Sequence, residues 1–119
     1  MSIEIYGIKN CDTVRKARRW LEAHHIDYQF HDFQAEGLDP EKLEQWIKTK
    51  GWDTLLNRRS TTWRNLSDEC KANLDESGAL RLMINYPTLI KRPVLEFGST
   101  LLVGFDPERY NKILKGSYT

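Results

Sequence analysis

The chain has 119 residues, enough for one domain around one hydrophobic core. Lys and Arg number 18 against 17 Asp and Glu, a net charge of +1, so bulk charge gives no reason to expect binding to nucleic acid or to a membrane. No apolar run approaches the roughly 20 residues that a membrane span needs, and the opening Ile3-Glu4-Ile5 is strand-like rather than a basic stretch followed by an apolar signal segment. The expected location is the cytoplasm, and monomer is the expected state for a chain of this size. Two cysteines, Cys11 and Cys70, do not make a disulfide scaffold. In a reducing compartment each is either packing or chemistry.

Ile3 and Ile5 alternate with their neighbours and predict a short strand. Tyr6 to Asn10 reads as a turn, and Asp12 or Thr13 is the expected cap of the helix that follows. In that helix Val14, Ala17, Trp20 or Leu21, and His24 recur three or four residues apart, which gives one apolar stripe. Arg15, Lys16, Arg18, Arg19 and Glu22 fall mostly on the other side and read as a solvated face. The helix is expected to end near His24 and His25. Adjacent histidines at a helix end suit free carbonyls and the dipole better than a metal, and with His31 they form no metal pattern. Ile26 to Phe33 alternates and predicts a second strand. Strand, helix, strand at this spacing is a βαβ unit with parallel strands.

The middle of the chain is helical. Asp39 caps, Pro40 stands at the first helical position, and Gly51 closes a helix between them. Trp52 to Leu56 continues as a short turn or helix, Asn57 to Thr62 reads as a polar loop, and Leu66 to Leu74 as a helix with Ser67 as its cap. Ala79 to Tyr86 is a further helix stopped by Pro87. Trp46, Trp52 and Trp63 read as filler of this helical region. The last quarter returns to sheet: Pro93 to Phe97 and Thr100 to Val103 form a hairpin around a tight turn. Asp106 and Pro107 then open a helix with Tyr110, Ile113 and Leu114 on its apolar side.

Cys11 falls between the first strand and the first helix. The N–H groups of a helix's first turn lack partners within the helix, and the dipole places partial positive charge there. A cysteine at such a point loses its proton more readily than an ordinary thiol, and the thiolate is the nucleophile. The same donors suit an oxyanion or carboxylate beside the sulfur. Cys70, on a helix amid polar residues with no motif around it, reads as structural. Val14 occupies the fourth position of a potential Cys-x-x-Cys pair, so chemistry at Cys11 needs an outside thiol, and glutathione is the natural choice.

A βαβ unit, then helices, then ββα, with a reactive cysteine after the first strand, is the thioredoxin-like arrangement: an α/β fold with a mixed sheet and an inserted helical subdomain. Three separated stretches go further. They are Tyr6 to Leu21 around Cys11, Leu55-Leu56-Asn57-Arg58-Arg59-Ser60-Thr61-Thr62-Trp63, and Leu89-Ile90-Lys91-Arg92-Pro93-Val94-Leu95 with Val103-Gly104-Phe105. In this order they resemble the arsenate reductase (ArsC) and Spx family, most closely its small YffB-type branch. The resemblance implies a single domain with a thioredoxin-like core of about residues 1–37 and 87–119 and a helical insert of about 38–86. It implies a covalent adduct or mixed disulfide at Cys11, an anion pocket containing Arg92, and a cis bond into Pro93. Arg59 matches a second pocket arginine by the Spx and YffB patterns, whereas strict ungapped alignment to the family's arsenate reductases puts Asn57 there. Their third arginine falls at Gly104, which argues against arsenate reduction itself. Lys9 and Asn10 flank the sulfur as further donors, and Arg15 is expected to face the same pocket.

The expected function is therefore that of a glutathione-dependent thiol reductase with one working cysteine and no bound cofactor. Arg59 and Arg92 would hold the negative group, and glutaredoxin is a candidate recycling partner. The rival expectations are a Spx-like regulator that binds RNA polymerase and an arsenate reductase proper.

Overall fold

The computed structural model describes residues 2–115, which divide into two compact units: Phe33–Lys91, and the residues on either side of that segment. In the flanking unit, β1 (Ile3–Gly7) is followed by α1 (Asp12–Ala23), β2 (Gln29–Asp32), β3 (Val94–Phe97), β4 (Thr100–Val103) and α7 (Pro107–Tyr110), the last running into a π-type turn at Asn111–Lys115. The sheet order is β2-β1-β3-β4. β1 lies parallel to β2 and antiparallel to β3, and β3 and β4 are the expected hairpin. This is the thioredoxin-like arrangement.

Alternation in β1 decides which face is buried. Ile3 and Ile5 join Leu95 and Leu102 from the hairpin, Ala17 and Leu21 from α1, Ile26, Tyr110 and Leu114 in one core. Each fully buried Leu or Ile contributes about 1.5–3 kcal/mol relative to exposure. The stripe read from the sequence of α1 is the buried one: Val14, Ala17 and Leu21 face inward. Trp20 meets the edge of Tyr110 with ring centroids 5.6 Å apart.

The end of α1 explains why β2 is shorter than its alternation suggests. His24 is the C-cap, and His25 takes the left-handed conformation at φ 57°. The His25 N–H donates to the Glu22 carbonyl at 3.1 Å and the Ile26 N–H to the Leu21 carbonyl at 2.9 Å. These two bonds make a Schellman motif, with Ile26 and Leu21 as its hydrophobic pair. Ile26 is thus committed to closing the helix, and pairing with β1 begins only at Gln29, which stands opposite Glu4.

The second unit contains α2 (Pro40–Lys50), α3 (Trp52–Leu55), α4 (Thr61–Asn65), α5 (Asp68–Lys71), α6 (Glu76–Asn85) and a 3-10 turn at Pro87–Leu89. The Asp39 side chain caps α2 by accepting the Glu41 N–H at 3.0 Å, and Gly51 ends it at φ 87°. Leu43, Trp46 and Ile47 are its buried face. Three sequence readings change here, the first being that the helix expected over Leu66 to Leu74 is only the short α5. The stretch read as a polar loop ends in a helix, α4, capped by the Ser60 hydroxyl, and α6 starts three residues early because Asp75 caps it.

The boundaries of this unit also differ from the 38–86 suggested by the resemblance. Leu56 bridges Ile90, the Asn57 N–H donates to the Leu89 carbonyl at 2.7 Å, and the Lys91 N–H to the Leu55 carbonyl at 2.8 Å. These bonds tie residues 87–91 to the helices rather than to the sheet, so the division falls between Lys91 and Arg92. No helix among the described residues is long and apolar enough to cross a membrane.

Candidate active site

The C-terminal end of β1 runs through Ile8-Lys9-Asn10 to Cys11. The Lys9 N–H donates to the Asp32 carboxylate at 3.2 Å, which ties this turn to the end of β2. The helix then starts earlier than the sequence reading, with Asp12 or Thr13 as its cap, placed it. Cys11 itself is the N-cap, in extended conformation at φ −114° and ψ 125°, and Asp12 is the first helical residue. Asp12 does not cap because its carboxylate is engaged by the Arg15 guanidinium at 2.7 Å. The thiol therefore stands at the position where Ser, Thr, Asp or Asn usually meets the free N–H groups.

By distance and angle the Cys11 side chain makes no capping hydrogen bond, in keeping with sulfur as a weak acceptor. The groups facing the sulfur shift it toward ionisation. Burial pushes the thiol up, but the Val14 N–H, the Arg92 guanidinium acting by hydrogen bond and by charge, and the Thr13 N–H together outweigh it. Cys11 lies below its ordinary value as a result.

Arg92 is half-buried and precedes the fully buried Val94 and Leu95 at the start of β3. That neighbourhood fixes where its side chain begins. The bond from Arg92 to Pro93 is cis. The Pro93 carbonyl accepts the Gly104 N–H at 2.8 Å, which ties the segment to the end of β4. Gly104 has φ 81°, a conformation that a residue with a side chain adopts only at a cost. This position is thus shaped here for glycine.

The remaining candidates separate clearly. Lys9 and Asn10 are exposed on the turn before the thiol. Arg15 is exposed and paired with Asp12, three residues back on the same helix. Arg59 belongs to the second unit, where it is exposed and its N–H donates to the Asn57 side chain at 3.0 Å. That bond forms an Asx turn. The next residue, Ser60, caps α4 by accepting the Trp63 N–H at 3.1 Å. Arg58 is held by Asp53 and lies 5.8 Å from the centroids of both the Trp52 and Trp63 rings. Cys70 is exposed on α5, and neither cysteine is in a disulfide.

Sequence reasoning expected first-turn N–H groups at the sulfur without naming Val14, and it missed Asp32 and Gly7. Only Gly7 left a signal, because a glycine within a strand often marks close backbone approach. A half-buried thiolate with two main-chain donors and a guanidinium can attack an electrophilic sulfur or a comparable centre. The same donors can hold negative charge beside it.

Comparison with known proteins agrees with this geometry. Residues 6–113 match the model of the ArsC family. A solved structure named YffB is 50% identical, with a TM-score of 0.92, and the match covers 95% of this chain and 99% of that one. The solution structure of an arsenate reductase (ArsC) related protein from Brucella melitensis is 52% identical with a TM-score of 0.78, covering 97% of this chain and 96% of the other. The regulatory protein MgsR of Bacillus subtilis is 30% identical over 118 residues, covering 95% of this chain and 90% of its own length. With nearly its whole length matched and a thiol at the first helix cap beside a cis Arg-Pro bond, the chain belongs to the ArsC family.

Proposed function

We propose that this protein is a glutathione-dependent thiol reductase in which Cys11 is the only working cysteine. The observation that carries this reading is the Cys11 thiol at the helix cap, favoured as thiolate by the Val14 and Thr13 N–H groups and by Arg92. In the first step the Cys11 thiolate attacks the glutathione sulfur of a mixed disulfide R–S–S–G. The Cys11–S–S–G bond forms, the R–S bond breaks, and the released thiolate takes a proton to become RSH. A second glutathione, as thiolate, attacks the Cys11–S–S–G bond at the glutathione sulfur. Oxidised glutathione leaves and the Cys11 thiolate returns. The sum is R–S–S–G plus GSH giving RSH plus GSSG, and the protein itself is unchanged.

An outside thiol is required because position 14 holds a fully buried valine, so no neighbour on α1 can resolve the intermediate. Arg92 next to the sulfur supports the binding of a glutathione carboxylate or another anionic group, and Arg59 is proposed as a second anion contact. Glutaredoxin is the proposed recycling partner in place of the second glutathione: its thiolate attacks the glutathione sulfur of Cys11–S–S–G, the glutaredoxin–glutathione disulfide forms and the Cys11 thiolate leaves, in a reducing compartment such as the cytoplasm. The test is glutathione-coupled turnover of a mixed-disulfide substrate by wild type and Cys11→Ser. Equal rates remove the proposal. Protection of Cys11 from alkylation by glutathione adds an independent check of the site.

The similarity to MgsR favours a second reading, a regulator acting through a protein partner. A stoichiometric complex with RNA polymerase, captured from lysate in the absence of turnover, is the result that selects it. Arsenate reduction is the narrower enzymatic alternative. Gly104, in place of a third arginine and at a positive φ, weighs against it, and arsenate-dependent NADPH oxidation in a glutathione–glutaredoxin-coupled assay decides.

A further inference from the structure

Gly7 ends β1, four residues before Cys11, and its need for glycine is one of space. A Cβ added there would lie 2.6 Å from Val14 Cγ2 and 3.2 Å from Val14 Cγ1. The backbone at Gly7 is not in the left-handed region, in contrast to Gly37, Gly51, Gly98 and Gly104. Val14 is completely buried, and a β-branched side chain in a helix has one strongly preferred rotamer, so it has no easy way to swing aside. The first turn of α1 therefore rests against the end of β1 as closely as a bare backbone allows.

Cys11 is the N-cap and Val14 the third residue of the helix, the position whose N–H faces a cap side chain, and this N–H is among the groups that lower the Cys11 thiol. We infer that Gly7 is a positioning residue for Cys11: the missing side chain lets Val14 seat against the strand end, and that seating holds the Val14 N–H at the thiolate. The intervening turn is not free to absorb a displacement. Asp32 stands opposite Gly7 in the parallel register of β1 and β2 and accepts the Lys9 N–H at 3.2 Å. A methyl added at Gly7 has to push against Val14, and the first turn of α1 is what moves.

Three other charged groups stand around the turn, and of these the Asp12–Arg15 pair belongs to α1 and shifts with it. Arg92 acts on the sulfur from the β3 side, Asp12 is engaged by Arg15, and Asp32 is engaged by Lys9. The inference rests on Cys11 being the working nucleophile, but its test reads ionisation of the thiol rather than turnover, so the two can fail separately.

The experiment measures the alkylation rate of Cys11 against pH, in a Cys70→Ser background, for wild type, Gly7→Ala, Val14→Ala and the double variant. Gly7→Ala is expected to raise the thiol pKa by about one unit, equivalent to about tenfold less thiolate below the pKa. Adding Val14→Ala, which removes the opposing methyls and keeps the N–H, is expected to return the pKa to that of Val14→Ala alone. A Gly7→Ala protein that loses thermal stability while keeping the wild-type pKa overturns the inference, since Gly7 would then matter to folding only. A rise that the second substitution fails to reverse overturns it as well. If Gly7→Ala does not fold alone, the double variant against Val14→Ala carries the test. Matching pKa values and recovered folding support the contact, and a raised pKa with the methyls gone sinks it.

Discussion

The two cysteines stand at the starts of two helices, and the difference between them lies in who occupies the cap. At α5 the Ser67 hydroxyl is the cap and accepts the N–H of Cys70 at 3.2 Å. The helix has four residues, and the thiol sits exposed inside it. At α1, twelve residues long, no hydroxyl intervenes: Cys11 is itself the cap, half-buried, and the Val14 and Thr13 N–H groups are left to its sulfur. The guanidinium of Arg92 adds charge there. Moving a cysteine from inside the first turn to the cap position turns it from a recipient of helix stability into the group that takes the helix's free donors.

The largest effect that tests this contrast is on turnover. Cys11→Ser is expected to lose glutathione-coupled activity to background, and Cys70→Ser to keep the wild-type rate, since a serine hydroxyl is not ionised at neutral pH and cannot complete the exchange. A Cys70→Ser protein as inactive as Cys11→Ser breaks the comparison, because it would make Cys70 a partner in the chemistry. Second in size is Arg92→Met, which keeps a long side chain and removes the charge. The alkylation pKa of Cys11 is expected to rise by about one unit or more, with no effect on labelling of Cys70. If the Cys11 profile does not move, the main-chain donors alone set the thiol and the role given to Arg92 is withdrawn.

A third, smaller effect belongs to the other unit. Ser67→Ala removes the hydroxyl that accepts the Cys70 N–H, and its expected cost in a denaturant titration is about 1 kcal/mol, with turnover unchanged. Loss of turnover at full stability would contradict the purely local, structural role given to this cap.

How far the sequence reached depended on whether a feature was local. The sheet pairs were legible because Ile3 and Ile5 alternate and because a turn of Gly98 and Ser99 separates two apolar runs. The buried side of α1 was legible because Val14, Ala17 and Leu21 recur at helical spacing. The exact cap was not. Propensity favours Asp12, and only the structure shows its carboxylate turned to Arg15. Helix α4 left no trace in the pattern since none of its residues is buried, so no periodicity marked it. Within the site, Cys11 was legible from strand-end placement alone, whereas Arg92, 81 positions away in the chain, could be reached only through the Arg-Pro motif of the family. The Gly7–Val14 contact is a distance between a strand end and a helix, and no spacing rule carries it.

The smallest expected effect is the pH dependence of stability, and it separates the two cysteines thermodynamically. Cys11 has a folded-state pKa below its ordinary, unfolded value. Between those two values the unfolded state binds more protons than the folded one, so stability rises with pH across that window. The contribution is complete above the unfolded value and is lost as pH falls through the folded one. Because the thiol is only half-buried, solvent screening keeps the gain modest. Denaturation midpoints of wild type and Cys11→Ser, measured from pH 5 to about pH 9, are expected to diverge in favour of wild type toward the alkaline end, while Cys70→Ser tracks wild type throughout. A difference between wild type and Cys11→Ser that stays flat, or that grows toward acid, means the thiolate is not preferentially stabilised by folding, and the N–H groups and guanidinium around Cys11 then lose the role assigned to them.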